Sequence, residues 1–108
     1  VAKNFIQDGK TIPLINSGQT DIPGGAPVAV GSVVAVAIAA IQPGETGDGF
    51  TEGVFLLPKL PADAIAAGTR VFLKDGVVQL DEADAIAAGV AWEVAAAATT
   101  VIEVKINA

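Results

Sequence analysis

A tetrad of the form Ile-x-x-Gly recurs along this chain as Ile22-Pro-Gly-Gly25, Ile41-Gln-Pro-Gly44, Ile65-Ala-Ala-Gly68 and Ile86-Ala-Ala-Gly89. The last two extend to an identical Asp-Ala-Ile-Ala-Ala-Gly. Taken alone, the alanine-rich copies have helical propensity, yet the same motif written with Pro-Gly cannot be a helix interior. The pattern therefore predicts one reused turn: the Ile side chain enters the core, and Gly takes a backbone conformation closed to residues with a Cβ. Turns, or single helical turns ended by Gly68 and Gly89, follow from this, and a helical fold does not. The irregular spacing of the copies argues against a regular solenoid.

What lies between the tetrads reads as strand. Asp8-Gly9 and Asp75-Gly76 are two-residue hairpin signals, the first between Phe5-Ile6-Gln7 and Lys10-Thr11-Ile12, the second between Val71–Lys74 and Val77–Leu80. Across the second, Lys74 faces Val77, Leu73 faces Val78, Phe72 faces Gln79 and Val71 faces Leu80. That register places Val71, Leu73, Val78 and Leu80 on one apolar face. The C-terminus alternates Ile102, Val104 and Ile106 with Glu103, Lys105 and Asn107, the signature of a half-buried strand over Val101 to Ile106. From Val33 to Ile41 large residues (Val34, Val36, Ile38) alternate with Ala35, Ala37 and Ala39, so one face is flat enough for close packing on another sheet or subunit. The Gly-rich stretch Ile41 to Gly53 shows no period and reads as a long loop, functional or mobile. The expectation is a single all-β domain over residues 1–108, a small compact barrel or sandwich with hairpins and at most short helical turns. Val1, Ala2, Lys3 and Asn4 precede the first hairpin without periodic pattern and read as a flexible arm.

Composition narrows the chemistry. The 108 residues contain no His and no Cys, so thiolate nucleophiles, Ser-His-Asp triads and His- or Cys-ligated metals are excluded. Six Lys+Arg against twelve Asp+Glu, a formal charge of -6, oppose a nucleic-acid partner, because each phosphate contact requires a cation. The longest apolar run, Val28 to Ile41, is broken by Gly31 and Ser32 and is shorter than the roughly 20 residues of a membrane span. The opening VAKNFIQDGK has no apolar leader stretch, so no signal peptide is expected. Hydrophobicity carried by Ala, Val, Ile and Leu with 5% aromatics gives a thin core, for which oligomerisation is a standard remedy. Ala35, Ala37, Ala39 and the single indole, Trp92, are the candidates for such an interface.

Several constellations resemble sites without completing one. Gly9-Lys10-Thr11 ends like a phosphate-binding loop, but Asn4 stands where the motif needs Gly, and a hairpin replaces the strand-to-helix turn. Glu45, Asp48 and Glu52 offer oxygens to a hard cation, but not at Ca²⁺-loop spacing; they read as a solvated acidic loop. Asp81 and Asp84 could form a carboxylate pair, yet Asp81 more simply caps the turn that follows. Arg70 at a strand start reads as a surface charge or an interface partner. No catalytic, cofactor or metal residue is assigned.

The blocks AKNFIQDGKTIPL, DIPGGAPVAVGSVVAVA, EGVFLLPKL, AGTRVFLKDGVVQLD and GVAWEV…VIEVKINA resemble, in order and over nearly the whole chain, the small phage and prophage capsid-cement (decoration) proteins. This family was formerly filed as a domain of unknown function, and its members have also carried a RecA/RadA-type recombinase label. The resemblance implies a compact β protein on the outside of an assembled capsid in the virion, made in the host bacterial cytoplasm. Its partners would be the major capsid (coat) protein, whose neighbouring subunits it bridges, and itself, as a homotrimer. It implies no cofactor, and it transfers no site residues, because the likeness lies in scaffold positions. The Val1–Asn4 arm, with Lys3 as its cation, is the candidate capsid contact. Two other classes remain as alternatives: a nucleotide- or DNA-dependent recombination factor, opposed by the failed phosphate loop and acidic charge, and a host-surface or carbohydrate-binding module, opposed by the few aromatics.

Overall fold

The computed structural model describes residue 4 and residues 6–108. Within them lie nine strands and no helix: β1 (Thr11–Ile15), β2 (Pro27–Val30), β3 (Val33–Ala37), β4 (Thr46–Phe50), β5 (Val54–Pro58), β6 (Arg70–Lys74), β7 (Val77–Gln79), β8 (Ile86–Ala91) and β9 (Val101–Ile106). They form two antiparallel sheets, ordered β1-β4-β3-β2 and β5-β9-β8-β6-β7. The all-β expectation holds. Neither sheet closes as a barrel, although one parallel bridge, Lys59 to Val78, draws the two edges of the second sheet together.

β9 spans the expected residues, with Ile102, Val104 and Ile106 buried and Val101, Glu103 and Lys105 exposed. The β6–β7 hairpin pairs Lys74 with Val77, Leu73 with Val78 and Phe72 with Gln79, as read from the sequence. Asp75 and Gly76 turn it with φ of 52° and 79°, the double positive φ that favours Asp-Gly. The ladder stops there: Leu80 lies beyond β7 and is exposed, so it leaves the apolar face expected of it. No hairpin forms at Asp8-Gly9. Ile6–Asp8 carry no strand, Phe5 lies outside the described residues, and Thr11–Ile15 pair instead with the five residues of β4. The alternation that runs from Val33 to Ile41 predicts a strand over Val33 to Ile38, and β3 spans Val33–Ala37, one residue short of it.

The largest departure is Ile41–Gly53, which is not a loop. It contains β4, bonded to β1 on one side and to β3 on the other. Gly47 and Gly49 hide this strand from any periodicity, and packing explains them: a Cβ on Gly47 would sit 2.6 Å from Ile41 Cγ1, and one on Gly49 2.7 Å from Leu14 Cδ1. Here neighbouring side chains fill the space that strand residues normally fill.

The two sheets are two copies of one unit. β1 pairs with β4 through five residue pairs, Thr11–Phe50 to Ile15–Thr46, and β5 pairs with β9 through five matching pairs, Val54–Lys105 to Pro58–Val101. The pairs Val36–Phe50 and Ala37–Gly49 recur as Val90–Lys105 and Ala91–Val104. Outside the strands the match continues. The bridge Ile22–Ile41 recurs as Ile65–Ala95, and the bond from Gly25 N–H to Ala37 O recurs from Gly68 N–H to Ala91 O, both at 2.7 Å. β7 is an addition of the second repeat. The sequence barely records the duplication; between β1–β2 and β5–β6, Leu14/Leu57, Ile22/Ile65, Gly25/Gly68 and Val28/Val71 are the identical matches.

This relation also corrects the tetrad. Ile22, Ile41 and Ile65 each open a turn, but Ile86-Ala-Ala-Gly89 lies within β8, and the fourth turn is Ala95-Ala-Ala-Ala98, with Ala98 at φ 74° where the others place Gly.

Each repeat has a core. Leu14, Ala35, Ala37 and Ile41 form the smaller one. The larger contains Leu57, Ile65, Val71, Leu73, Val104 and others of the second repeat, together with Val34 and Val36 from the opposite face of β3. On that same face Phe50 stacks on Phe55, ring centroids 5.7 Å apart. Asn107 clamps the repeats from the C-terminal end: Val34 N–H donates to its Oδ1 at 2.9 Å, and its Nδ2 donates to the carbonyls of Val34 and Thr51, each at 2.7 Å.

Candidate interaction surface

An antiparallel sheet with one solvated face ordinarily shows polar residues there. The outer face of the second sheet does not. Val54 and Leu56 of β5 stand beside Val101, Glu103 and Lys105 of β9, in the register Val54–Lys105, Leu56–Glu103 and Pro58–Val101. The chain leaving β8 continues the face, because Trp92 N–H donates to Glu103 O at 2.8 Å. Leu56 is 62% exposed and Val94 is 72% exposed; Trp92 and Val101 are exposed as well. Lys105 Nζ lies 5.6 Å from the centroid of the Trp92 ring, a cation–π contact that holds the indole against the sheet. A surface this apolar, with Glu93 and Glu103 as its anions and Lys105 as its cation, has the character of a contact face.

Beside it lies a cleft of about 410 Å³ in which Leu56, Pro58 and Val101 face Pro23 and Pro27 of the first repeat. Proline also marks the strand edges: Pro13 within β1, Pro27 opening β2 and Pro58 closing β5. A residue without N–H weakens the edge as a template for another strand, so contact through side chains is favoured here over sheet extension.

The residues singled out from the sequence fall in several places. Val1, Ala2 and Lys3 lie outside the described residues; Asn4 is exposed. Ala35 and Ala37, 0% and 2% exposed, are consumed inside the first repeat against Leu14 and Ile41, so they have no surface to offer a second subunit. The flat face serves packing within the chain. Ala39 and Trp92 are exposed, and Trp92 alone joins the apolar face. Leu56, Val94 and Val101 were not singled out. A signal existed in the unbroken apolar run Val54–Pro58, which in a two-sided strand must expose alternate members.

The partial motifs noted in the sequence fall in separate places. Gly9-Lys10-Thr11 runs into β1 and not into a helix. Glu45 precedes β4, Asp48 lies within it and Glu52 follows it, and among the described residues no three metal-ligating side chains converge. Asp81 caps its turn as expected, accepting from Ala83 N–H at 2.9 Å. Arg70 donates to the backbone oxygen of Ala108 at 2.9 Å. Among the described residues no buried side-chain nitrogen or oxygen lacks a hydrogen-bond partner, and no helix is long and apolar enough to cross a membrane.

In comparison with known proteins, a family model described as phage cement protein matches residues 6–106. No curated protein and no solved structure matches the chain.

Proposed function

We propose, from the premise that this chain belongs to the phage cement protein family, that it binds the outer surface of the assembled shell and bridges neighbouring coat subunits. Membership gives a structural role at the phage capsid and a non-enzymatic kind of protein. The observation that carries the finer reading is the apolar outer face of the second sheet, with Leu56, Trp92, Val94 and Val101 exposed. Such a face suits a protein whose work is contact. A ligand that binds only the assembled shell stabilises it by mass action without turnover, since free coat subunits gain nothing from it. The major capsid protein is the partner in this reading, the protein acts as a homotrimer made in the host cytoplasm, and Val1–Asn4 reaches the coat as an arm.

The test is sedimentation of purified protein with undecorated shells and, separately, with unassembled coat protein. Co-sedimentation with shells at a saturating stoichiometry, and no complex with free coat subunits, is the expected result. Equal binding to both, or to neither, contradicts it.

A further inference from the structure

The contact that joins the two repeats is asymmetric, and each of its surfaces occurs a second time in the chain without a mate. In the second repeat Ile65, Val71 and Leu73 are 1%, 0% and 4% exposed; their counterparts Ile22, Val28 and Val30 in the first repeat are only half-buried. The difference lies in what covers them. Val34 and Val36 of β3 join the core around Ile65, Val71 and Leu73, and Phe50 closes over Phe55. Ile22, Val28 and Val30, with Ile12 as the counterpart of Phe55, pack on Leu14 and Ile41 from below and receive no such cover among the described residues. The covering face is also repeated. Val90 is the counterpart of Val36 and Lys105 of Phe50, yet Val90 is half-buried outside the large core and Lys105 is exposed.

We propose that a second copy of this chain supplies the missing cover: its Val90 face seats over Ile12, Ile22, Val28 and Val30, repeating between chains the contact that already joins the repeats within one. This occupant continues an interface the chain has already built, since both surfaces derive from a pair that mates once in every molecule. The contact is head-to-tail. Different patches meet, so each chain keeps one donor face and one acceptor mouth, and the assembly closes as a ring if the rotation permits. This deepens the homo-oligomer part of the functional reading and rests on it, but not on binding to a shell.

The test uses the full chain without capsid. Because the sequence has no cysteine, Val30→Cys and Val90→Cys each introduce a single thiol, one in the mouth and one on the covering face. A short bismaleimide is expected to join the two variants when they are mixed, and to join neither variant to itself. In parallel, Val30→Asp and Val90→Asp, checked for native circular dichroism, are expected to weaken self-association at least tenfold each, and a mixture of the two to stop at a pair, because one sound interface remains. Val90→Cys chains that cross-link to one another as readily as in the mixture would show a two-fold contact and overturn the proposal. A single-chain mass for the unmodified protein at 100 µM (about a thousandth of a gram per millilitre by mass) would overturn both the proposal and the homo-oligomer. An oligomer that resists both Asp variants and gives no mixed cross-link would overturn this contact alone, leaving the mouth to the coat protein or to the chain's own opening residues.

Discussion

Asn16 and Lys59 occupy the same position in the two repeats, and each solves the same problem with different chemistry. Both are 3% exposed. The Asn16 side chain donates to Thr20 O at 2.8 Å and the Lys59 ammonium to Asp63 O, in each case the carbonyl four residues on. Asn16 also donates to Ile41 O at 2.8 Å, and Lys59 to Leu60 O at 2.7 Å. A buried polar side chain is required here because the chain leaves the edge strand and its carbonyls turn inward.

Asn16→Ala and Lys59→Met are therefore expected to destabilise the fold by about 1–3 kcal/mol each, the cost of stranded buried acceptors. Urea denaturation measures this. A change under a few tenths of a kcal/mol for both would show that water reaches these carbonyls.

Ile41 and Gly47, which touch, hold the positions that Ala95 and Ile102 of one core cluster hold in the other repeat, so the large and small members are exchanged. Gly47→Ala alone drives a Cβ to within 2.7 Å of Ile41 Cδ1 and should cost roughly 1–3 kcal/mol. Combined with Ile41→Ala, which empties that space, it should cost less than the two single changes added together. Additivity in a double-mutant cycle would contradict the equivalence of these sites.

Ala98 holds φ 74° at the turn position where Gly25, Gly44 and Gly68 hold 85°, 82° and 83°. A left-handed conformation costs a residue with a Cβ about 1–2 kcal/mol, and glycine loses roughly 0.5–1 kcal/mol in chain entropy. Ala98→Gly should thus stabilise by up to about 1 kcal/mol, and Gly44→Ala should destabilise by a similar amount. Melting temperatures that move in the opposite directions would refute the shared turn.

Legibility in the sequence followed how local the determining physics was. The β6–β7 register and β9 were readable because Asp75-Gly76 and the alternation at Ile102, Val104 and Ile106 act within a few residues. β4 was not, since Gly49 answers to Leu14, far away in the chain, and Gly47 to Ile41 across a turn, and neither glycine leaves an apolar alternation to read. The Ala95–Ala98 turn was hidden for a related reason: its bridge to Ile65 fixes the backbone, so Ala98 takes the glycine conformation without glycine. Asp8-Gly9 carried a genuine hairpin signal but lost to the longer ladder that β4 offers to Thr11–Ile15. For the surface, the alternation in Val33–Ala37 was visible, but not that both of its faces would be covered within one chain.

The opening segment is open to a direct trial. Deleting Val1–Asn4 should leave the denaturation curve and the oligomer mass unchanged, because β1 begins at Thr11, while reducing occupancy on shells. Undiminished decoration would remove the arm from the contact and leave it to the apolar face around Leu56 and Val94.

The most direct measurement is an image reconstruction of the capsid encoded with this protein, with and without it bound. Added density is expected on the outer surface, spanning the junction between neighbouring coat subunits. Density confined to a single coat subunit, or to the inside of the shell, would contradict it.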